Sequence, residues 1–406
     1  MDKDEFFASA RTDLTGPLAG VRVVDLTTAW SGPMASCVLA DLGCDVIHID
    51  QPGGPGPQIR PLLPGTELSY IQQTVNRNKR SLTADLRAPQ SRDLVLELIR
   101  VSDIVIENFR PGTLDEWGLG YRDCVAVKPD IVYVSISGWG QYGERSRHGG
   151  YDPVALAASG WLSLTGDRDG PPVKSPTFLA DDISGLHAAI GAMAALRHRD
   201  QTAEGQHVDV SMLDSMLFQS SGLLTLAAMG APAARWGNEL PGMVPCNVYA
   251  CADGHVYVAV VLDHQWDRLA RAMDRAELAG APGYATAAER VANRDTINAL
   301  VQDWCAARNA DDAVAAIVAT GVTAARVDTY SQAASARYVQ ERDMLQPTLL
   351  EDGSRAPLIG PATKFSRTPT RVRHAAPRAG AHTEEILAEL GVSQSRREEL
   401  RAKGVI

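Results

Sequence analysis

No two cysteines in this chain have C-x-x-C spacing. The six, Cys37, Cys44, Cys124, Cys246, Cys251 and Cys305, are scattered over 406 residues. No His/Cys cluster has the spacing of zinc ligands, so no metal centre is expected. Scattered thiols in a long chain read as reduced, which places the protein in the cytoplasm. An excess of positive charge is also missing. The formal net charge is −10, which disfavours nucleic acid as a partner. Residues 1–13 carry four acids and no apolar run, so no signal peptide is read there. The stretch 215–234 has no charge, but it contains Gln219, Ser220, Ser221 and Pro232. It reads as a buried soluble segment, and no membrane contact is expected. Lysine is scarce: 6 of the 39 basic residues are Lys and the rest Arg. With the alanine richness, this suggests a GC-rich bacterial source.

Three fingerprints are absent as well. The turn Thr27-Thr28-Ala29-Trp30-Ser31-Gly32-Pro33 lacks G-x-G-x-x-G, which weakens a dinucleotide-dependent dehydrogenase even though Asp50 ends the next strand. No P-loop supports nucleoside triphosphate hydrolysis, and no G-x-S-x-G elbow supports an α/β-hydrolase.

The balance of 45% hydrophobic and 22% charged residues is that of a globular chain. The first half alternates strand-like and helix-like segments. Val21–Leu26, Val46–Asp50, Ile104–Ile106 and Ile131–Val134 read as buried strands, with Ser81–Leu86 and His207–Ser211 as further strand-like segments. Met34, Cys37, Val38 and Leu42, and again Leu94, Val95, Leu98 and Ile99, have helical spacing. This alternation predicts an α/β fold with a mostly parallel, doubly wound sheet. A long helix is expected after Asp181-Asp182, with Leu186, Ile190 and Met193 as its apolar stripe and Gly185, Ala188 and Ala192 as a small-residue face.

Near residue 231 the pattern changes. Asn247–Ala250, the turn Asp253-Gly254 and the alternating His255–Val261 predict a hairpin, followed by helices. Residues 228–325 are therefore expected to form a smaller α+β domain. The large domain would comprise 1–227 and 326–406. Two C-terminal helices are predicted, the first capped by Thr383 and stopped by Gly391, the second started by Ser393 and ended by Gly404.

Few motifs carry chemistry unaided. Asn76-Arg77-Asn78-Lys79-Arg80 and Glu107-Asn108-Phe109-Arg110-Pro111-Gly112 flank strands. Their cations either hold phosphates or are solvated surface charge. Asp181 and Asp182 are either a helix cap with a first-turn acid or a carboxylate placed where a substrate can approach. Tyr151-Asp152 is open to the same two readings.

Taken together, the segments resemble the family III CoA-transferases, the group that contains formyl-CoA transferase, carnitine CoA-transferase and α-methylacyl-CoA racemase. The resemblance runs from Pro17–Leu26 through Ser31-Gly32-Pro33, Ala40-Asp41-Leu42-Gly43, Asn78–Ser81 and the Glu107–Gly112 block. It continues through Ser159-Gly160, Thr165-Gly166, Gly205–Val210 and Ala381–Leu387. It implies a Rossmann-like large domain with a smaller inserted domain, and two chains interlocked as a homodimer. CoA or acyl-CoA would be a substrate, with no permanently bound cofactor.

The resemblance also assigns residues. Asp181 matches the catalytic aspartate of the transferases, attacking an acyl-CoA and passing CoA to a free carboxylic acid through anhydride and aspartyl-CoA thioester intermediates. Tyr151 and Asp152 would line the acyl pocket or position Asp181. Ala29 and Trp30 match the turn beside the pantetheine and thioester, Trp30 standing where formyl-CoA transferase has Gln. Asn108, Phe109 and Arg110 match the CoA-binding strand end. Lys79 and Arg80 match basic positions near the nucleotide phosphates, and Arg60 is expected to reach a phosphate.

The chain departs from the family pattern in two places. The racemase branch has a His where this chain has Tyr151. A phenol with an ordinary pKa near 10 is a poor base for α-proton exchange, which favours transfer over racemisation or epimerisation. The glycine-run loop of formyl-CoA transferase is also missing, the nearest segment being Gly237–Gly242. A CoA-binding protein without catalysis is the third reading.

Overall fold

Apolar runs buried on both faces become the strands of one parallel sheet. The computed structural model describes residues 1–54, 61–231 and 233–406. Its strands are β1 (Arg22–Asp25), β2 (Asp45–Asp50), β3 (Arg80–Thr83), β4 (Ile104–Glu107), β5 (Val132–Ser137) and β6 (Gln206–Ser211). They lie in the order β3-β2-β1-β4-β5-β6, every pair parallel. The order reverses between β1 and β4. In such sheets the crevice beyond the strand ends at this point receives ligands. The two segments that border it here are the turn after β1 and the Asn108–Gly112 block after β4.

Helices cover both faces. On one, α1 (Ser31–Asp41) joins Ile104, Ile106, Val132 and Val134 in a common core. On the other, α2 (Pro89–Arg100) and α3 (Tyr121–Val127) pack on Val24, Val105 and Tyr133. A short α4 (Asp152–Ala158) precedes the long α5 (Leu179–Thr202), which shares the face of α1.

α5 differs from expectation in two ways. It begins before Asp181, so Asp181 and Asp182 lie inside its first turn and neither is the cap. Its small residues Gly185, Ala188, Ala189 and Ala192 face the core, whereas Leu186 and Ile190 are exposed. The reason is the close approach of α1: a Cβ on Gly185 would lie 2.9 Å from the Ser31 carbonyl oxygen. Only small side chains fit such a contact.

The chain divides into two units. The larger holds Met1–Trp161, Lys174–Thr225 and Arg337–Ile406. The smaller holds Leu162–Val173 and Leu226–Ala336, wider than the expected 228–325. The added segment 162–173 is tied in by long-range contacts that no local pattern announces: Arg235 donates to the carbonyls of Ser163 and Gly170, and Arg168 stacks on Trp236. In this unit β7 (Cys246–Cys251), β8 (Gly254–Ala259) and β9 (Thr323–Arg326) form an antiparallel sheet. Val256, Val258 and Val260 are buried against Trp266, Leu269, Ile297 and Ile317. The helices α6 (Asp263–Ala272), α7 (Arg294–Ala306) and α8 (Ala310–Val318) supply those side chains. Back in the larger unit, β10 (Leu345–Leu349) and β11 (Arg355–Ile359) form a separate antiparallel pair.

The last segment packs on the large sheet through α9 (Thr383–Glu389) and α10 (Gln394–Ala402), burying Ile386, Leu387 and Leu400. Ser393 caps α10 and Gly391 ends α9 in the left-handed region (φ +74°), as expected. Thr383 does not cap α9. Its hydroxyl instead accepts from the Thr83 N–H at 3.1 Å, fastening the helix to β3. The uncharged stretch 215–234 also differs from its reading. Ser215 and Met216 are buried, but residues 221–231 are exposed, and Phe218 is 76% exposed. Among the described residues no helix is long and apolar enough to cross a membrane.

Candidate active site

The turn after β1 is fixed from below by a buried acid. Asp25 Oδ1 accepts from the N–H and hydroxyl of Thr27 at 2.9 and 2.5 Å. Its Oδ2 accepts from Ser36 at 2.6 Å and from Lys79 Nζ at 2.9 Å. His48 Nδ1 stands 3.1 Å away but makes no aligned hydrogen bond. Burial would raise the carboxyl pKa, but the Lys79 ammonium and His48 outweigh it and hold Asp25 well below the usual range.

Lys79 is fully buried, and its remaining bonds go to the Pro33 carbonyl and Asn76. Its three donors are therefore spent inside the protein, and the phosphate role expected for it is not open in this arrangement. The two terminal nitrogens of Arg80 are engaged by Asp45, Glu385 and Glu389, whereas its buried Nε has no hydrogen bond. Arg60 lies outside the described residues.

Asn108 closes the turn from above. Its side chain accepts from the Thr28 N–H and donates to the Thr28 carbonyl, both at 2.8 Å. The next residue, Ala29, sits in the left-handed region (φ +64°), an uncommon place for a residue with a Cβ. Phe109 meets Trp117 edge-on at 5.2 Å, and Arg110 is exposed. Ala29, Trp30, Asn108, Phe109 and Arg110 thus come from the two strand ends that border the crevice.

Trp30 turns toward α5. Its indole Nε1 donates to Asp182 Oδ1 at 2.6 Å, and its ring lies 4.9 Å from that of Phe178. The side chain of neighbouring Ser31 favours the charged form of Asp181.

α5 lacks a cap from its own sequence, since Phe178 precedes it. Asp152, the first residue of α4, supplies one across space. Its Oδ1 accepts from the Ala180 N–H at 2.7 Å, satisfying a first-turn donor that has no partner within the helix. Asp152 is 2% exposed, and its Oδ2 has no hydrogen bond. Lys174 Nζ approaches that oxygen at 4.0 Å. Tyr151 precedes α4 and is exposed.

Two effects oppose each other at Asp181. The helix dipole and the Ser31 bond favour its charged form. Burial, then the charges of Asp152 and Asp182, disfavour it. The second set wins and pushes the Asp181 carboxyl up to about 7. Asp182 is also raised, by burial and by Asp152, with the Trp30 bond offsetting part of the effect. A half-buried carboxyl poised near neutral pH can serve as a nucleophile or a base.

Ser31, Lys174, Phe178 and Asp152's capping role were not legible as a group. Asp152 and Ala180 are 28 positions apart, and no periodicity links them.

A second cluster lines a cavity of about 170 Å³ on the α2/α3 side of the sheet, with Glu107, Arg110, Tyr121, Ser135 and His207. Ser135 Oγ and His207 Nε2 are 2.8 Å apart. Burial pushes the Glu107 carboxyl up to about 7.

The family whose sequence model matches the chain is CoA-transferase family III, over residues 18–383. The chain is 34% identical to a succinate–glutarate CoA-transferase of Agrobacterium fabrum over 384 residues, covering 92% of this chain and 96% of that protein. It is also 34% identical to the beta subunit of a succinyl-CoA–L-malate CoA-transferase of Chloroflexus aurantiacus, covering 97% and 99% respectively. Among solved structures, a CaiB/BaiF family protein of Brucella suis superposes with a TM-score of 0.83 at 31% identity, covering 93% of this chain and all of that one.

Proposed function

The chain belongs to CoA-transferase family III, and from that premise we propose that Asp181 carries CoA between an acyl-CoA and a free carboxylic acid. The relatives named above exchange CoA between carboxylic acids, which supports acyl-CoA and carboxylate as the substrates. The observation that carries the assignment of Asp181 is its setting: a half-buried carboxyl, raised to about 7, in the first turn of α5.

The reaction proceeds in balanced steps. The ionised Asp181 carboxylate attacks the thioester carbonyl, the C–S bond breaks, and CoA leaves as thiolate from a mixed anhydride. The thiolate attacks the aspartyl carbonyl of that anhydride, releasing the donor acid as carboxylate and leaving an aspartyl-CoA thioester. The acceptor carboxylate attacks this thioester, releasing the thiolate again and forming a second anhydride. The thiolate then attacks the acceptor's acyl carbon, and the Asp181 carboxylate is restored. No net proton or ATP is required, because a thioester and a carboxylate are exchanged for their equivalents. First-turn N–H groups of α1 and α5, other than that of Ala180, which Asp152 occupies, are the donors for the developing oxyanions.

Asp152 positions α5, and Tyr151 and Trp30 border the acyl group. Ala29, Asn108, Phe109 and Arg110 receive CoA at the crevice, with Arg60 reaching a phosphate. Two chains form the working unit. This is supported by exposed apolar side chains at Leu186, Ile190, Phe218 and Met229, since monomers rarely leave such groups unpaired in number. A cytoplasmic location is supported by six free cysteines.

The test is mass-spectrometric. Incubated with a pool of acyl-CoAs and no acceptor acid, the wild-type protein should carry a CoA thioester or acyl adduct on the Asp181 peptide. Asp181→Ala should carry none and should not transfer. Undiminished turnover in Asp181→Ala overturns the assignment. Deuterium entering the acyl α-carbon from heavy water, with no adduct, would mark a racemase.

A further inference from the structure

The residue that precedes α1 grips one of two consecutive acids in the first turn of α5. Trp30 holds Asp182 through its indole N–H, at 2.6 Å. The side chain of the next residue, Ser31, favours the charged form of Asp181. The match works because the helices touch at Gly185, where a Cβ would meet the Ser31 carbonyl at 2.9 Å. Trp30 is itself braced, its ring resting against Phe178.

The two acids are chemically alike and adjacent, so residue type alone does not decide which of them attacks. Geometry separates them. Consecutive side chains on a helix diverge by about 100°, so the two approach a substrate from different directions. Their partners differ too. An indole N–H on a ring wedged against Phe178 is a fixed donor. The Ser31 hydroxyl near Asp181 can rotate about its C–O bond and fixes no orientation of that carboxylate. The charged groups around them are Asp152 from α4 and Lys174 from the segment before α5, whose ammonium lies 4.0 Å from Asp152. α1 contributes only neutral donors there. Three carboxyls so close together cannot all be free anions at no cost. A fixed donor on one of them favours its charged form, as the Trp30 bond does for Asp182 against the effect of burial.

We propose that Trp30 is a positioning residue whose indole N–H pins Asp182 as a fixed, non-reacting group, leaving Asp181 as the single carboxylate free to attack. This rests on the reading of Asp181 as the nucleophile. It gives Trp30 a task beyond contact with the acyl group, and gives Asp182 a task that a simple first-turn acid does not have.

The experiment is a double-mutant cycle on the full-length protein. Trp30→Phe keeps a ring against Phe178 and removes the donor. Asp182→Ala removes the acceptor and the charge. Hydrogen bonds to charged groups are strong enough that Trp30→Phe should lower kcat by roughly tenfold or more, with KM for acyl-CoA changed by less than about twofold. The acid limb of its pH profile should move to lower pH, because an unpinned Asp182 protonates more readily and repels Asp181 less. Part of the covalent adduct should move to Asp182. In the Asp182→Ala background the same Trp30→Phe change should have little further effect, since residues acting through one another are not additive. Circular dichroism and thermal unfolding establish that each variant is folded. Additive effects, or a wild-type kcat and pH profile in Trp30→Phe, overturn the proposal. So does a loss confined to KM, which would make Trp30 a substrate contact only. Asp181→Ala separates the levels: if it still turns over, the functional reading falls, whereas if it is dead and Trp30→Phe is normal, only the pinning falls.

Discussion

Asp152 Oδ1 accepts from the backbone N–H of Ala180 at 2.7 Å. One helix thereby caps another, and the capped turn is the one that bears Asp181. The same carboxylate adds a negative charge beside Asp181. Asp152 therefore sets both where Asp181 is and when it ionises.

Asp152→Asn separates those two effects. The amide oxygen can still accept from Ala180, so the cap survives while the charge goes. The acid limb of the rate profile should move to lower pH with little change in thermal stability. Asp152→Ala should show the same movement and also lose about 1 kcal/mol of stability with the cap. Stability is read by urea unfolding, ionisation by the pH dependence of kcat/KM.

The ionisation of Asp181 should itself be visible. The attacking form is the carboxylate, and the group is pushed up to about 7. kcat/KM should therefore rise with pH and level off above about pH 7. A profile already flat from pH 5 would show that Asp181 is ionised throughout that range.

Lys79 is predicted to act through stability. Lys79→Met leaves Asp25 buried without its ammonium partner, and breaking one side of a buried pair costs on the order of 3–5 kcal/mol. A large fall in the unfolding midpoint is expected, measurable by calorimetry. A variant of wild-type stability with weakened CoA binding would return Lys79 to the phosphate role.

Glu107 gives a stability test with a definite sign. Its folded pKa is raised from 4.5 to about 7 by burial. The folded state thus binds the proton more tightly than the unfolded state. Its stability contribution is full below about pH 4.5 and is lost as pH rises toward 7. At 1.36 kcal/mol per unit the loss approaches about 3 kcal/mol. Glu107→Gln, which cannot ionise, should be more stable than wild type at pH 8, and that advantage should vanish near pH 4. Denaturant unfolding at the two pH values decides it.

The sheet was legible because its strands are buried on both faces. Val23–Val24, Val46-Ile47, Ile104–Ile106 and Val132–Val134 are continuous apolar runs, and such runs separated by helical spacing have few other solutions. The hairpin at Asp253-Gly254 was legible for the same local reason. The start of α5 was not, because the residue that caps it lies in α4. Nor was the face that α5 buries. Hydrophobic size pointed to Leu186 and Ile190, but the close approach of α1 admits only Gly and Ala.

The sequence by itself determined the α/β alternation, the family resemblance and the identity of Asp181 as a candidate, since each rests on residue type and order. The tertiary structure decided the working environment of that residue. It buried Lys79 against Asp25, placed Asp152 over the first turn of α5, and set Trp30 and Ser31 against Asp182 and Asp181. The reason is physical. A pKa, a cap or a pinned carboxylate depends on distance and burial, and these are fixed by which distant segments pack together.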